Sequence, residues 1–132
     1  MKTVWTNGCF DILHRGHIEM FKFAKSLGDQ LIVGLDTDEK VKEAKGDDRP
    51  FNTLVDREFV VSSIRYVDKT VSFNSQKQLE HLIKSINPDI LVVGSDWEGK
   101  YVVGAEYAKE VIFFPRVDGY STTKVLKNDN IR

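Results

Sequence analysis

Two histidines three residues apart, His14 and His17, end the run Asn7-Gly8-Cys9-Phe10-Asp11-Ile12-Leu13-His14-Arg15-Gly16-His17. Imidazole N–H groups can donate hydrogen bonds to phosphate oxygens. So can the unpaired N–H groups at a helix start, where the dipole adds partial positive charge. Gly8 and Gly16 let backbone approach a ligand closely. The chemistry such a loop could do is phosphate binding, with stabilisation of negative charge during a transfer. Two blander readings stand beside it. A histidine at a helix start is often a cap or a surface residue. Two histidines at this spacing can also bind zinc, but His81 is distant in sequence and Cys9 is the single cysteine, so nothing supplies the rest of a metal shell. Neither G-x-G-x-x-G nor G-x-x-x-x-G-K-[ST] occurs, which removes the motifs of dinucleotide-binding and P-loop proteins.

Other reactive residues fall in three further segments. Lys40, Lys42 and Lys45 precede Gly46-Asp47-Asp48-Arg49-Pro50-Phe51-Asn52. They read as a solvated polar loop, or as mobile point charges that could hold a triphosphate. Arg57 and Arg65 are eight apart, so on one helix they would sit only ~80° apart around the axis and could line one side of a pocket. Ordinary salt bridging on a helix face is the alternative. Asp96 lies in Gly94-Ser95-Asp96-Trp97-Glu98-Gly99-Lys100, where a carboxylate at a strand end could hold a sugar hydroxyl, a base edge or Mg²⁺. Trp97 could stack on a ligand or cover the core. Near the end, Arg116 precedes Asp118-Gly119-Tyr120-Ser121-Thr122-Thr123-Lys124, where Ser121 suits an N-cap.

Positioning these residues requires a scaffold, and the apolar pattern supplies one. Thr3 to Thr6, Gln30 to Leu35, Thr70 to Phe73, Ile90 to Val93 and Val111 to Phe114 are short runs of the kind that form buried parallel strands. Between them, Met20, Phe23, Ala24 and Leu27 fall at helical spacing, as do Leu79, Leu82, Ile83 and Ile86. A helix is expected to begin near His17, and a third over Val55 to Ile64. The alternation predicts an α/β fold: a single doubly wound, Rossmann-like domain over residues 1–132 with a five-stranded parallel sheet. Ligands then bind beyond the carboxyl ends of the strands, where strand order reverses.

Composition narrows the class. At 132 residues the chain suits one domain, and 41% hydrophobic with 30% charged residues is a globular balance. A net charge of −1 carries no nucleic-acid signature. One cysteine cannot form an intrachain disulfide, no run approaches membrane length, and the first residues lack a signal-peptide pattern. The expectation is a cytoplasmic protein with no nucleic-acid or membrane partner.

The Asn7–His17 run resembles the signature of the cytidylyltransferase-like nucleotidyltransferases of the H-x-G-H type. It is especially similar to heptose-1-phosphate adenylyltransferase domains and to glycerol-3-phosphate cytidylyltransferases. The resemblance covers Val4 to about Lys127 and implies a nucleoside monophosphate moved from an NTP to a phosphorylated small molecule, with pyrophosphate released. By it, His14, His17 and Lys45 are catalytic. Asn7, Gly8, Cys9, Phe10, Gly16, Asp96, Arg116, Ser121, Thr122 and Thr123 bind the nucleotide. Asp11, Lys42, Arg57 and Arg65 bind the acceptor phosphate, with Arg57 or Arg65 alternatively shaping a dimer and Asp68 orienting an arginine. No residue is assigned to metal. Mg²⁺ is expected to arrive with the NTP, and a homodimer is implied.

Within the family, Thr6 to Asp11 and the run Lys45-Gly46-Asp47-Asp48-Arg49-Pro50-Phe51-Asn52 resemble the heptose-phosphate enzymes. Asp96-Trp97-Glu98-Gly99-Lys100 and Arg116 resemble the glycerol-phosphate enzymes. The first is the favoured expectation and the second its alternative. On the heptose reading, a separate kinase supplies the phosphorylated substrate. A non-catalytic nucleotide-binding domain is the reading from another class.

Overall fold

The computed structural model describes residues 1–115. Along the chain run β1 (Thr3–Gly8), α1 (Arg15–Ser26), β2 (Gln30–Asp36), α2 (Asp38–Lys45), α3 (Leu54–Ser62), β3 (Lys69–Phe73), α4 (Gln76–Ile86), β4 (Ile90–Gly94) and β5 (Glu110–Phe114). The strands form one sheet in the order β3-β2-β1-β4-β5, and every pairing is parallel. The expected α/β architecture with a five-stranded parallel sheet is therefore present, each strand within one or two residues of its predicted bounds.

Alternate residues of each strand feed opposite faces. Val4, Leu31, Val33, Ile90 and Val92 pack with Phe21 and Ala24 of α1 and Val61 of α3 on one face. Trp5, Ile32 and Leu91 pack with Leu79 and Ile83 of α4 on the other. Both faces are covered, so both strand periodicities are apolar, which is why the strands read as continuous hydrophobic runs. Gly34 is required by this packing. A Cβ there would lie 2.6 Å from the fully buried Trp5 ring. Helices α1 and α3 serve crossovers on one side of β1, and α4 carries the chain across to β4. Strand order thus reverses between β1 and β4, where the Thr6 hydroxyl donates to the Val92 carbonyl at 2.8 Å.

One expectation needs correction. The lysine segment is helix α2, not a polar loop: Thr37 caps it, Asp38 and Glu39 occupy its first turn, and Lys42 and Lys45 its last, each complementing the helix dipole. Helix α1 begins at Arg15, near His17 as expected. Among the described residues no helix is long and apolar enough to cross a membrane.

Candidate active site

The two histidines are structurally coupled. His14 is the N-cap of α1, and its Nδ1 accepts from the Gly16 N–H at 3.0 Å. His17 Nδ1 accepts from the His14 N–H at 3.2 Å. The rings stack with centroids 4.0 Å apart. A neutral imidazole has one acceptor and one donor nitrogen. Because a backbone N–H holds each Nδ1 as acceptor, the proton of each neutral ring sits on Nε2. The capping hydrogen bonds therefore set both tautomers, and each ring offers an Nε2–H donor at the helix start. Burial, then the neighbouring His14 and the charge of Lys45, lower the His17 pKa to about 4. His17 is neutral across the physiological range.

Lys45 ends α2 and is exposed, yet its charge acts on both His17 and Cys9. That places its ammonium within electrostatic reach of the histidine loop. Lys42, one turn earlier, is also exposed. Cys9 is buried, and burial pushes its thiol pKa up against the opposing influence of Lys45 and Arg57, so the side chain stays a protonated thiol. Phe10 has φ +52° and tilts against Phe21, with its edge to His17 at 5.7 Å. Gly8 lies under that ring: a Cβ there would stand 3.1 Å from Phe10 Cζ. Asn7 accepts from Trp5 Nε1 at 2.8 Å. Asp96 lies in the short 3-10 turn Ser95–Trp97 directly after β4 and is exposed. So the structure gathers Asn7, Gly8, Cys9, Phe10, His14, Gly16, His17, Lys45 and Asp96 at one end of the sheet. Arg116, Ser121, Thr122 and Thr123 lie outside the described residues.

Three acceptor-phosphate assignments are corrected. Asp11 is buried, and its carboxylate takes the N–H groups of Phe51 (2.7 Å) and Asn52 (2.8 Å) and the Arg49 guanidinium (3.4 Å). It clamps the 49–52 segment, and an anion already used this way does not bind phosphate. Arg57 is 1% exposed. Its Nε donates to Asn52 O, its Nη1 to Cys9 O and Asp36 O, and its Nη2 to Asp38 Oδ1, at 2.7–3.0 Å. It ties three site segments together and cannot reach a substrate. Arg65 is off the helix, since α3 ends at Ser62. It precedes β3, at the amino ends of the strands, where it stacks over Tyr66 and donates to its hydroxyl at 3.0 Å. Among the described residues Asp68 orients no arginine: it accepts from Lys25 Nζ at 2.7 Å and from Leu31 N at 2.8 Å.

A cavity of about 350 Å³ opens beside the histidine loop, over the carboxyl ends of β1, β2 and β4. Thr6, Asn7 and Gly8 form one wall, and Asp36, Lys40 and Gln76 stand at another. The sequence reading took Lys40 for a solvated lysine and missed Asp36 and Gln76, and also Arg49 and Asp38. Asp36 had a usable signal, since it ends a strand at the face where ligands bind. Arg49 lies in the Lys45–Asn52 run, whose resemblance assigned a role to Lys45 alone. Among the described residues there is no group of three or more His, Cys, Asp or Glu that could hold a metal ion.

Residues 5–128 match the cytidylyltransferase-like family. The chain belongs to this family of nucleotidyltransferases. It is 49% identical over 127 residues to the bifunctional protein HldE of Helicobacter hepaticus, covering 96% of this chain and 26% of that protein. To the bifunctional protein HldE of Campylobacter fetus it is 50% identical over 123 residues, covering 93% and 27%. The chain thus spans about a quarter of the length of the curated relatives it matches. Among solved structures it resembles the lipopolysaccharide core biosynthesis protein from Thermoplasma volcanium, with a TM-score of 0.69 and 25% identity over 92% of this chain and 99% of that one. Pantothenate synthetase from Thermus thermophilus shares the fold at a TM-score of 0.63 and 12% identity, covering 89% of this chain and 56% of that one.

Proposed function

We propose that this domain transfers an adenylyl group from ATP to a sugar 1-phosphate, specifically a heptose 1-phosphate, and releases pyrophosphate. The observation that carries the reading is the pair of stacked histidines whose Nδ1 atoms accept the capping hydrogen bonds of α1, beside a helix N-terminus. A phosphate oxygen of the acceptor attacks the α-phosphorus of ATP in line. The new P–O bond forms as the bond to the bridging oxygen breaks, and pyrophosphate carries away the electron pair. The nucleophile is already ionised near neutral pH, so no general base is needed. Catalysis is then positioning and stabilisation of spreading negative charge. His14, His17 and Lys45 stabilise that charge, and Lys42 assists at the phosphates. A neutral His17 imidazole suits this task because it donates without a proton having to be taken up first.

Mg²⁺ enters as part of the nucleotide substrate. Asp11 and Asp38 are committed to the protein itself, Asp11 to the 49–52 backbone and Asp38 to Arg57 and Leu54 N, and the triphosphate oxygens would hold the ion. The choice of ATP and a heptose phosphate rests on the resemblance of residues 45–52 to heptose-phosphate adenylyltransferases, on HldE relatives near 50% identity, and on the likeness to the lipopolysaccharide core biosynthesis protein. Transfer from CTP to glycerol 3-phosphate is the second reading, favoured by the Asp96–Lys100 run, of which Trp97 lines the cavity. We place the reaction in the cytoplasm, where nucleoside triphosphates are made, and propose a homodimer. Val55 and Phe59, 77% and 73% exposed one turn apart on α3, are the apolar surface such an assembly would cover.

Pyrophosphate release with ATP and CTP, each paired with heptose 1-phosphate and glycerol 3-phosphate, tests the assignment. Turnover with ATP and the heptose, abolished by EDTA and restored by excess Mg²⁺, is expected. Turnover confined to CTP with glycerol 3-phosphate would retain the chemistry and overturn the substrates.

A further inference from the structure

The cavity beside the histidine loop has a chemical character unlike that of a phosphate site. The charged residues among its described lining are Asp36 and Lys40, one of each sign. They pair at 3.3 Å, and both side chains are largely buried, 19% and 26% exposed. Lys40 Nζ also sits 5.5 Å from the centroid of the Phe73 ring, a cation–π contact. Paired in this way, the two groups present no net charge to attract an anion. What they present is a carboxylate acceptor and an ammonium donor side by side, an arrangement suited to hydroxyl groups. Gln76 adds an amide, and that amide makes no hydrogen bond to another described residue. Leu79, Val93, Val102 and Val103 supply an apolar wall, with Trp97 at the rim. An apolar wall facing a few convergent polar groups is the usual form of a small-molecule pocket, and the volume falls at the small end of the ~300–1,000 Å³ such pockets span.

The cavity also has the right neighbour. Gly8 lines it, Gly8 lies against Phe10, and Phe10 meets His17 edge-on. A ligand seated there therefore lies one residue away from the histidine loop. None of His14, His17 and Lys45 lines the cavity itself.

We infer that Asp36, Lys40 and Gln76 determine acceptor specificity, by reading the hydroxyl pattern of a polyhydroxylated ring while its phosphate points to the histidines. The inference rests on the nucleotidyl-transfer reading and narrows its acceptor to a sugar phosphate rather than a short alcohol phosphate. The ring's C–H face would lie on the valine and leucine wall, and vicinal hydroxyls would share the Asp36 carboxylate.

The test pairs enzyme variants with substrate variants. Asp36→Asn and Gln76→Ala are assayed with heptose 1-phosphate and its monodeoxy analogues. Calorimetry with α,β-methylene-ATP measures nucleotide affinity separately, and thermal melts check the fold. For Asp36→Asn we expect KM for the sugar phosphate to rise about 10- to 100-fold, as losing a hydrogen bond to a charged group implies. The Gln76→Ala rise should be smaller, and nucleotide affinity should be unchanged in both. For one deoxy analogue the Asp36→Asn penalty should vanish, because the partner hydroxyl is already gone. Equal penalties for every analogue, or a loss of nucleotide affinity instead, overturns the inference. Turnover of glycerol 3-phosphate with no binding of the sugar phosphate also overturns it and keeps nucleotidyl transfer. Sugar-phosphate binding that depends on Asp36, in a protein that releases no pyrophosphate, upholds the inference and removes the transfer reading.

Discussion

Replacing Arg57 with alanine should unfold the site before it affects substrate. The guanidinium is buried and donates to the carbonyls of Asn52, Cys9 and Asp36 and to the Asp38 carboxylate. Alanine would take this donor from three carbonyls and leave the partly exposed Asp38 carboxylate with the Leu54 N–H alone; unsatisfied buried acceptors and the broken ion pair together typically cost about 3–5 kcal/mol. Unfolding entropy of roughly 2.1 cal/mol/K per residue over 132 residues comes to about 0.28 kcal/mol/K. A loss near 4 kcal/mol then lowers Tm by about 14 °C. Arg57→Lys keeps the charge but cannot span four acceptors with one ammonium, so about half that drop is expected. Thermal melts followed by circular dichroism give the shift, and pyrophosphate release measured well below both midpoints gives the activity. An Arg57→Ala protein with a Tm within a few degrees of wild type and a raised acceptor KM would refute this account and restore Arg57 as a phosphate ligand.

The remaining expectations concern the histidines and α3. His14→Asn retains a good N-cap but loses the Nε2–H donor, so Tm should move little while kcat falls about 10²–10³-fold; unchanged kcat would reduce His14 to a cap. His17 titrates near 4 when folded, against a reference value of 6.5. On acidification the unfolded chain takes up the proton first, so this contribution to stability is complete above pH 6.5 and declines as pH falls toward 4. Urea melts across that window should show the slope in wild type and lose it in His17→Gln, and an NMR-titrated His17 pKa near 6.5 would refute the assignment. Phe59→Glu should convert a dimer to a monomer by light scattering, and a wild-type monomer would dismiss the dimer proposal.

Strands and the histidine loop were legible in the sequence because their causes are local. Buried parallel strands announce themselves as short apolar runs, and His14-Arg15-Gly16-His17 carries its own cap and donors. Helix α2 was missed for a specific reason. Asp38–Lys45 buries one residue, Val41, so its apolar period is nearly absent, yet the Thr37 cap and the ordered charges spelled out a helix. The Arg57–Arg65 argument failed because it ran one helix through a chain that turns after Ser62. Asp11 was misassigned by pattern alone, although a carboxylate is a poor phosphate ligand on charge grounds. The i,i+4 spacing of Asp36 and Lys40 was legible, but their place in a cavity was not, because its other walls come from α4 and β4, more than thirty positions away.

Arg57 grips main-chain oxygens at positions 9, 36 and 52, and among its four contacts only Asp38 is a side chain. A carbonyl is present whatever residue stands at the position. Asp36 therefore holds the scaffold through its backbone while its carboxylate faces the cavity, and the two duties are chemically separable. Substrate preference can drift at such a position, or be redesigned there, without loosening the framework that aligns the histidines.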